Sequence, residues 1–158
     1  MEIIHLTESD NEIFEQICAW YYGWLGEKNG ESYEEVVCTM EHSINSMKLP
    51  QTFVAMVDGK PAGMYQLAVT DDLNSRPDVY PWMINVYVDK KFRGHDVCRN
   101  LMASVPANAK KAGINELYLY TKHIGLYEKF GWEYVEEVRT FKDDSPIERL
   151  YRLDVNKQ

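Results

Sequence analysis

At 158 residues the chain is long enough for one domain with a proper core, and its 45% hydrophobic and 27% charged residues exclude a disordered or low-complexity class. A net charge of −8 argues against a nucleic-acid partner, and no apolar run approaches the length that crosses a membrane. The acidic N-terminus has no signal-peptide pattern, and Cys18, Cys38 and Cys98 are too widely spaced for a disulfide or zinc framework; both point to a cytoplasmic protein with reduced thiols. His5, His42, His95 and His123 show no metal-ligand spacing, so no metal site is expected.

Residues 2–6 form the first predicted strand. Ser9 followed by Glu12 has the capping-box spacing, and Ile13, Phe14, Ile17, Cys18, Tyr21 and Leu25 recur at helical intervals after it. Gly26 and the segment GEKNGES should stop that helix. Ser32 and Glu35 repeat the capping-box spacing before a second amphipathic helix carrying Val36, Val37, Met40, Ile44 and Met47. Residues 52–57 and 63–69 read as strands around an Asp58-Gly59 turn. A polar loop, 71–78, leads to a strand over 81–89 (PWMINVYVD).

The next helix buries Val97, Leu101, Val105 and Ala109, carries a Pro106 expected to kink it near Met102, and closes at Gly113. A strand over 116–121, a short helix over 125–130, and a hairpin of 132–141 with 148–155 around Asp143, Asp144, Ser145 and Pro146 complete the chain. The predicted order is β-α-α-β-β-β-α-β-α-β-β, a mixed α/β sheet with helices on its faces, with no internal repeat or linker to divide it.

The richest stretch is VDKKFRGHDVCRNL, residues 88–101. A strand ends there, a basic glycine-containing turn follows, and a helix opens. The first helical N–H groups lack intrahelical partners and carry the positive end of the helix dipole, and Lys90, Lys91, Arg93 and Arg99 add full charges. This turn suits a phosphate or pyrophosphate, hence a nucleotide-bearing cofactor.

PWMINVYVDKKFRGHDVCRNLM, followed by ELYLYTKHIGLYEKFGWE, resembles the GNAT superfamily of acetyl-CoA-dependent N-acetyltransferases. The element order matches over essentially the whole chain, implying one N-acetyltransferase domain over 1–158 with a twisted, mostly antiparallel central sheet. The specific motifs cover roughly 81–133. The family's phosphate loop runs Gln or Arg, two residues, Gly, one residue, then Gly or Ala. Arg93 fits, while Asp96 stands where Gly is usual and Cys98 where Gly or Ala is usual. The second landmark, an aromatic-rich strand and short helix bearing Tyr and a Gly-aromatic pair, is met by Tyr127, Gly131 and Trp132.

The resemblance implies acetyl-CoA as co-substrate and acetyl transfer to a primary amine of a small molecule. Carried over by position, the Val86 N–H polarises the thioester carbonyl, Val88 holds the pantetheine arm, and Tyr127 protonates the leaving thiolate. Arg93, Gly94, His95, Asp96, Val97, Cys98 and Arg99 bracket the pyrophosphate, and Thr121 contributes to the same cofactor site. The Asp96 carboxylate either faces the phosphates, at a cost of roughly 3 kcal/mol for charges about 5 Å apart, or turns to solvent, caps the helix, or pairs with Arg93 or Arg99. Cys98, near a helix start, is expected to have a lowered pKa.

No carboxylate stands near the start of the 81–89 strand to act as general base, leaving Asp71 or Asp72, or an amine that needs none. His123 is a further candidate to shuttle a proton. Trp24, Asp72 and Arg76 are candidates for the acceptor side, with Trp20, Tyr22 and Asp78 beside them. A non-catalytic acyl-CoA-binding or sensing module is the alternative, and an exposed sheet edge leaves room for a homodimer.

Overall fold

In a computed structural model, residues 1–9, 11–141 and 144–157 are described. The strands are β1 (Glu2–Leu6), β2 (Gln51–Val57), β3 (Lys60–Ala68), β4 (Trp82–Val88), β5 (Glu116–Thr121), β6 (Glu133–Val138) and β7 (Glu148–Asp154). The α-helices are α1 (Glu12–Tyr21), the single turn α2 (Glu27–Asn29), α3 (Tyr33–Glu41) and α4 (Val97–Lys111). The sheet has seven strands in the order β1-β2-β3-β4-β5-β7-β6. Pairing is antiparallel for β1 with β2, β5 with β7 and β6 with β7, and parallel for β4 with β5, where Trp82 stands opposite Tyr118. The mixed α/β class and its element order are therefore as the sequence predicts.

The local chemistry explains most element ends. Ser32 Oγ accepts from Glu35 N and the Glu35 carboxylate accepts from Ser32 N, so the expected capping box opens α3. Asp58 and Gly59 both have positive φ (49° and 75°), the backbone that a two-residue hairpin between β2 and β3 requires. The helix α4 continues through Pro106, which removes one bond of the ladder without ending the helix.

Three expectations are corrected. Asn11, not Ser9, caps α1: its Oδ1 accepts from Phe14 N at 2.9 Å. The chain does not stop at Gly26 but passes through a π-helical turn, Tyr22–Gly26, into α2, and Gly30 at φ 78° ends it. A Cβ on Gly26 would lie 2.8 Å from Val36 Cγ2, so only glycine lets this turn lie so close to α3. The second helix also ends early, at Glu41. The closing hairpin of β6 and β7 forms as expected, although Asp143 in its turn lies outside the described residues.

Two compact units share the chain, Met1–Gln66 with Asn85–Leu101, and Leu67–Ile84 with Met102–Gln158. In the first, Phe14, Ile17, Cys18 and Trp20 of α1 and Val36 and Met40 of α3 bury against Leu6, Val54 and Met64. In the second, Leu73, Val79, Trp82, Val138 and Leu150 form a core joined by Tyr118 and Tyr120.

Candidate functional site

In the first unit, β4 delivers the chain into the basic turn. Asp89 braces that turn from two sides: its Oδ1 accepts from Lys91 N at 2.8 Å and its Oδ2 from Trp20 Nε1 at 2.9 Å. Arg93 folds back, its Nε donating to the Val88 carbonyl at 3.1 Å. His95 Nδ1 lies 3.0 Å from the Arg93 carbonyl. Gly94 and Asp96 are left-handed, with φ of 82° and 58°, and a Cβ on Gly94 would meet nothing within 4 Å. Asn100 N closes the first turn of α4 on the Asp96 carbonyl at 3.0 Å.

Arg93, Gly94, His95, Asp96 and Arg99 are exposed, Val97 is buried and Cys98 is half-buried. The turn is thus an open, basic surface of exposed backbone leading into a helix start, as an anion site needs. Asp96 occupies a backbone region that Gly enters freely and Asp tolerates. Its carboxylate lies 3.4 Å from Arg99 Nη1, so its charge is directed at a cation. Burial pushes the Cys98 thiol up, against the lowering expected from its place near a helix start, because desolvation opposes the thiolate.

The helix start is held close to the sheet by Gly63. A Cβ there would lie 2.7 Å from the Tyr87 carbonyl and 3.1 and 3.2 Å from Val97 and Leu101. Along β4 itself, residues 84–88 are half-buried, Val86 and Val88 among them, and Asn85 has φ 52° inside the strand. Trp24 stands in the π-helical turn and packs on Tyr87, ring centroids 5.4 Å apart, with Trp20 on the same ring at 5.3 Å.

The second unit holds the remaining predicted residues. Tyr127 opens a 3-10 turn and is 7% exposed, its ring 6.1 Å from those of Trp132 and Tyr151. The turn closes at Gly131, φ 82°, which returns Trp132 N to the Tyr127 carbonyl at 3.3 Å. Thr121 ends β5 and accepts from His123 N through Oγ1. Burial lifts Asp71 to about 6, the Asp72 N–H at 2.7 Å opposes that rise, and the nearby Asp72 and Glu148 charges add to it. Burial also raises Tyr120, with the same three carboxylates adding to the shift. Arg76 and Asp78, both candidates for substrate charge, grip each other through two 2.9 Å contacts, and Arg76 also binds Glu136. Their charges are committed within the protein.

Two features escaped sequence reasoning, the π-helical turn and the left-handed Asn85. A signal for the second was present: Asn85 and Gln66 are the polar residues inside otherwise apolar strand runs, INVYV and YQLA, where a polar group needs a reason. Among the described residues no group of three or more His, Cys, Asp or Glu side chains is placed to hold a metal ion, and no helix is long and apolar enough to cross a membrane.

The model of the acetyltransferase (GNAT) domain matches residues 48–134, more than half the chain. No curated protein sequence matches this chain. Among solved structures, an aminoglycoside 6'-acetyltransferase type Ii has TM-score 0.74 at 14% identity, covering 98% of this chain and 97% of its own. An aminoglycoside 6'-N-acetyltransferase complexed with coenzyme A has TM-score 0.73 at 12% identity, with the same coverage of 98% and 97%. The ribosomal-protein-S18-alanine N-acetyltransferase from Escherichia coli has TM-score 0.64 at 17% identity, covering 98% and 93%.

Proposed function

The chain belongs to the GNAT acetyltransferase family, and we propose that it is an N-acetyltransferase, one catalytic domain that moves the acetyl group of acetyl-CoA to a primary amine of a small molecule. The observation that carries this is the turn at 89–99: left-handed Gly94 and Asp96, exposed Arg93 and Arg99, and a helix start pressed onto the sheet at Gly63. These residues fit a pyrophosphate, because open space surrounds Gly94 and the Asp96 charge is met by Arg99. When bound, acetyl-CoA supplies an activated thioester and a thiol leaving group.

The chain's own residues then divide the work. Arg93, His95 and Arg99, with the backbone of Gly94, Asp96, Val97 and Cys98, bind the pyrophosphate. Val88 and Thr121 orient the arm. The Val86 N–H stabilises negative charge that develops on the thioester oxygen. Tyr127 gives the thiolate a proton, a reasonable exchange for a phenol whose ordinary pKa is about 10. Asp71, lifted to about 6, is the better of the two candidate bases, since a carboxylate titrating near neutrality can take an ammonium proton. Asp72 and Trp24 serve the acceptor side, and Arg76 stays with Asp78 and Glu136. The fold likeness to aminoglycoside acetyltransferases is consistent with a small-molecule acceptor. Unpaired Cys18, Cys38 and Cys98 suit the cytoplasm.

The test is thiol release from acetyl-CoA with a panel of ethanolamine, putrescine, lysine and an aminoglycoside. Amine-dependent release is expected, and Tyr127→Phe should lower kcat by more than about tenfold while leaving acetyl-CoA affinity nearly intact. Tight acetyl-CoA binding with no release for any amine would replace this function with acyl-CoA sensing.

A further inference from the structure

Beneath β4 lies a polar network that the fold alone does not require. Gln66 is 4% exposed, Ser43 1% and Thr52 0%. Gln66 Nε2 donates to Ser43 Oγ and to Thr52 Oγ1, each at 2.9 Å, and also lies 3.7 Å from Met40 Sδ. Its Oε1 accepts from Asn85 Nδ2 at 2.7 Å. We propose that Gln66 and Asn85 are positioning residues for acetyl transfer: the buried amide pair holds Asn85 in its left-handed backbone and so aims the Val86 N–H at the thioester oxygen. This inference rests on the function proposed above.

Counting protons gives the network one direction. Ser43 has a single hydroxyl hydrogen and spends it on the Met40 carbonyl at 2.6 Å. In the 2.7 Å contact between Ser43 and Thr52, Thr52 must therefore donate. Both hydroxyl oxygens are then left to accept, and because they lie only 2.7 Å apart they share one N–H of the Gln66 amide. Reversed, the Gln66 carbonyl would meet the lone pairs of Ser43. Only Oε1 can face β4, so position 85 must present a donor. Asn supplies that donor and is also among the few non-glycine residues that enter the left-handed region. An extended residue at 85 would need neither property. The chain of bonds thus runs from the end of α3 to the peptide that carries the Val86 N–H.

The test uses the full chain with Asn85→Asp, Asn85→Ala and Asn85→Gly. It reads kcat and KM for acetyl-CoA with whichever panel amine gives the most thiol release, and acetyl-CoA affinity by calorimetry. Asn85→Asp keeps the shape but sets a carboxylate against the Gln66 carbonyl. Its kcat should fall about tenfold or more, with acetyl-CoA affinity within about threefold of wild type. Asn85→Gly, free to adopt positive φ, should retain more kcat than Asn85→Ala. Wild-type kcat in Asn85→Asp, or glycine no better than alanine, would overturn the proposal.

If the variants do not fold, NMR of the wild type decides. The Gln66 side-chain amide should exchange slowly, and the Val86 amide should shift more with acetyl-CoA than with coenzyme A. Fast exchange or equal shifts would overturn it. A wild type that neither binds nor turns over acetyl-CoA sinks the enzymatic function itself, whereas turnover that survives Asn85→Asp sinks only this inference.

Discussion

Trp82 and Asn85 lie close together on β4, yet their surroundings differ. Trp82 is 2% exposed, pairs with Tyr118 of β5, and packs against the rings of Tyr118 and Tyr120 at 6.2 and 5.9 Å. Asn85 is half-buried, left-handed, and held by one buried amide. The first end of the strand is ordinary core, regular in backbone and apolar in side chain. The second departs from strand geometry, and polar bonds beneath it secure the departure. Backbone irregularity that the surroundings over-determine is where a protein places function.

Substitutions at the two ends should therefore fail in different ways. The largest effect is expected from Trp82→Ala, which empties the second unit's core and should cost about 3–5 kcal/mol of stability. Thermal unfolding would show it as a fall of roughly 10 °C or more, with acetyl-CoA affinity little changed in the protein that remains folded. Gly63→Ala attacks the other end. Its Cβ would press on the Tyr87 carbonyl at 2.7 Å, so the start of α4 must move. We expect a cost of about 1–3 kcal/mol and acetyl-CoA affinity about tenfold weaker, since the displaced helix start is the proposed anion site. Unchanged affinity would show that the turn tolerates displacement.

Asp71→Asn sharpens the comparison through pH. Folded Asp71 titrates at about 6 against an ordinary 3.8, so the neutral carboxyl favours the fold. That contribution is complete below about pH 4 and is lost as pH rises through about 6. Asparagine does not titrate, so the variant should gain on wild type between those values by up to about 3 kcal/mol and match it at lower pH. Urea melts at several pH values measure this, and in the proposed role of general base Asp71 should also give wild-type kcat an acidic limb near pH 6 that the variant lacks. The smallest effects belong to the exposed pair. Arg99→Ala should weaken acetyl-CoA binding several-fold, because it removes a cation and releases the Asp96 charge. Asp96→Gly should change affinity less than about threefold, since exposed pairs contribute little. Tightening by more than that would mean that the carboxylate reaches the phosphates.

The features readable in the sequence were local ones. Ser32 with Glu35, Asp58-Gly59 and the basic turn before Val97 each act within a few residues, so their types and spacing were enough. Asn11 displaced Ser9 as the cap because both stand before the same apolar face, and only the entering backbone decides between them. The π-helical turn was hidden because nothing in YGWLG marks it, and Gly26, which a Cβ would bring within 2.8 Å of Val36 Cγ2, reads in sequence as a helix stop. Arg76 and Asp78 looked free for a ligand in SRPD, but Glu136, far along the chain, completes their cluster. The left-handed Asn85 needed Gln66, Ser43 and Thr52 to be seen together, and those residues come from different elements of the first unit.

The most direct measurement is calorimetric titration of the purified protein with acetyl-CoA at low and high salt. Binding at roughly micromolar Kd that weakens as salt rises is the predicted result, because a basic turn holding a pyrophosphate is screened by ions. No binding at about millimolar acetyl-CoA, or binding indifferent to salt, would contradict the anion site at 89–99 and the transferase built on it.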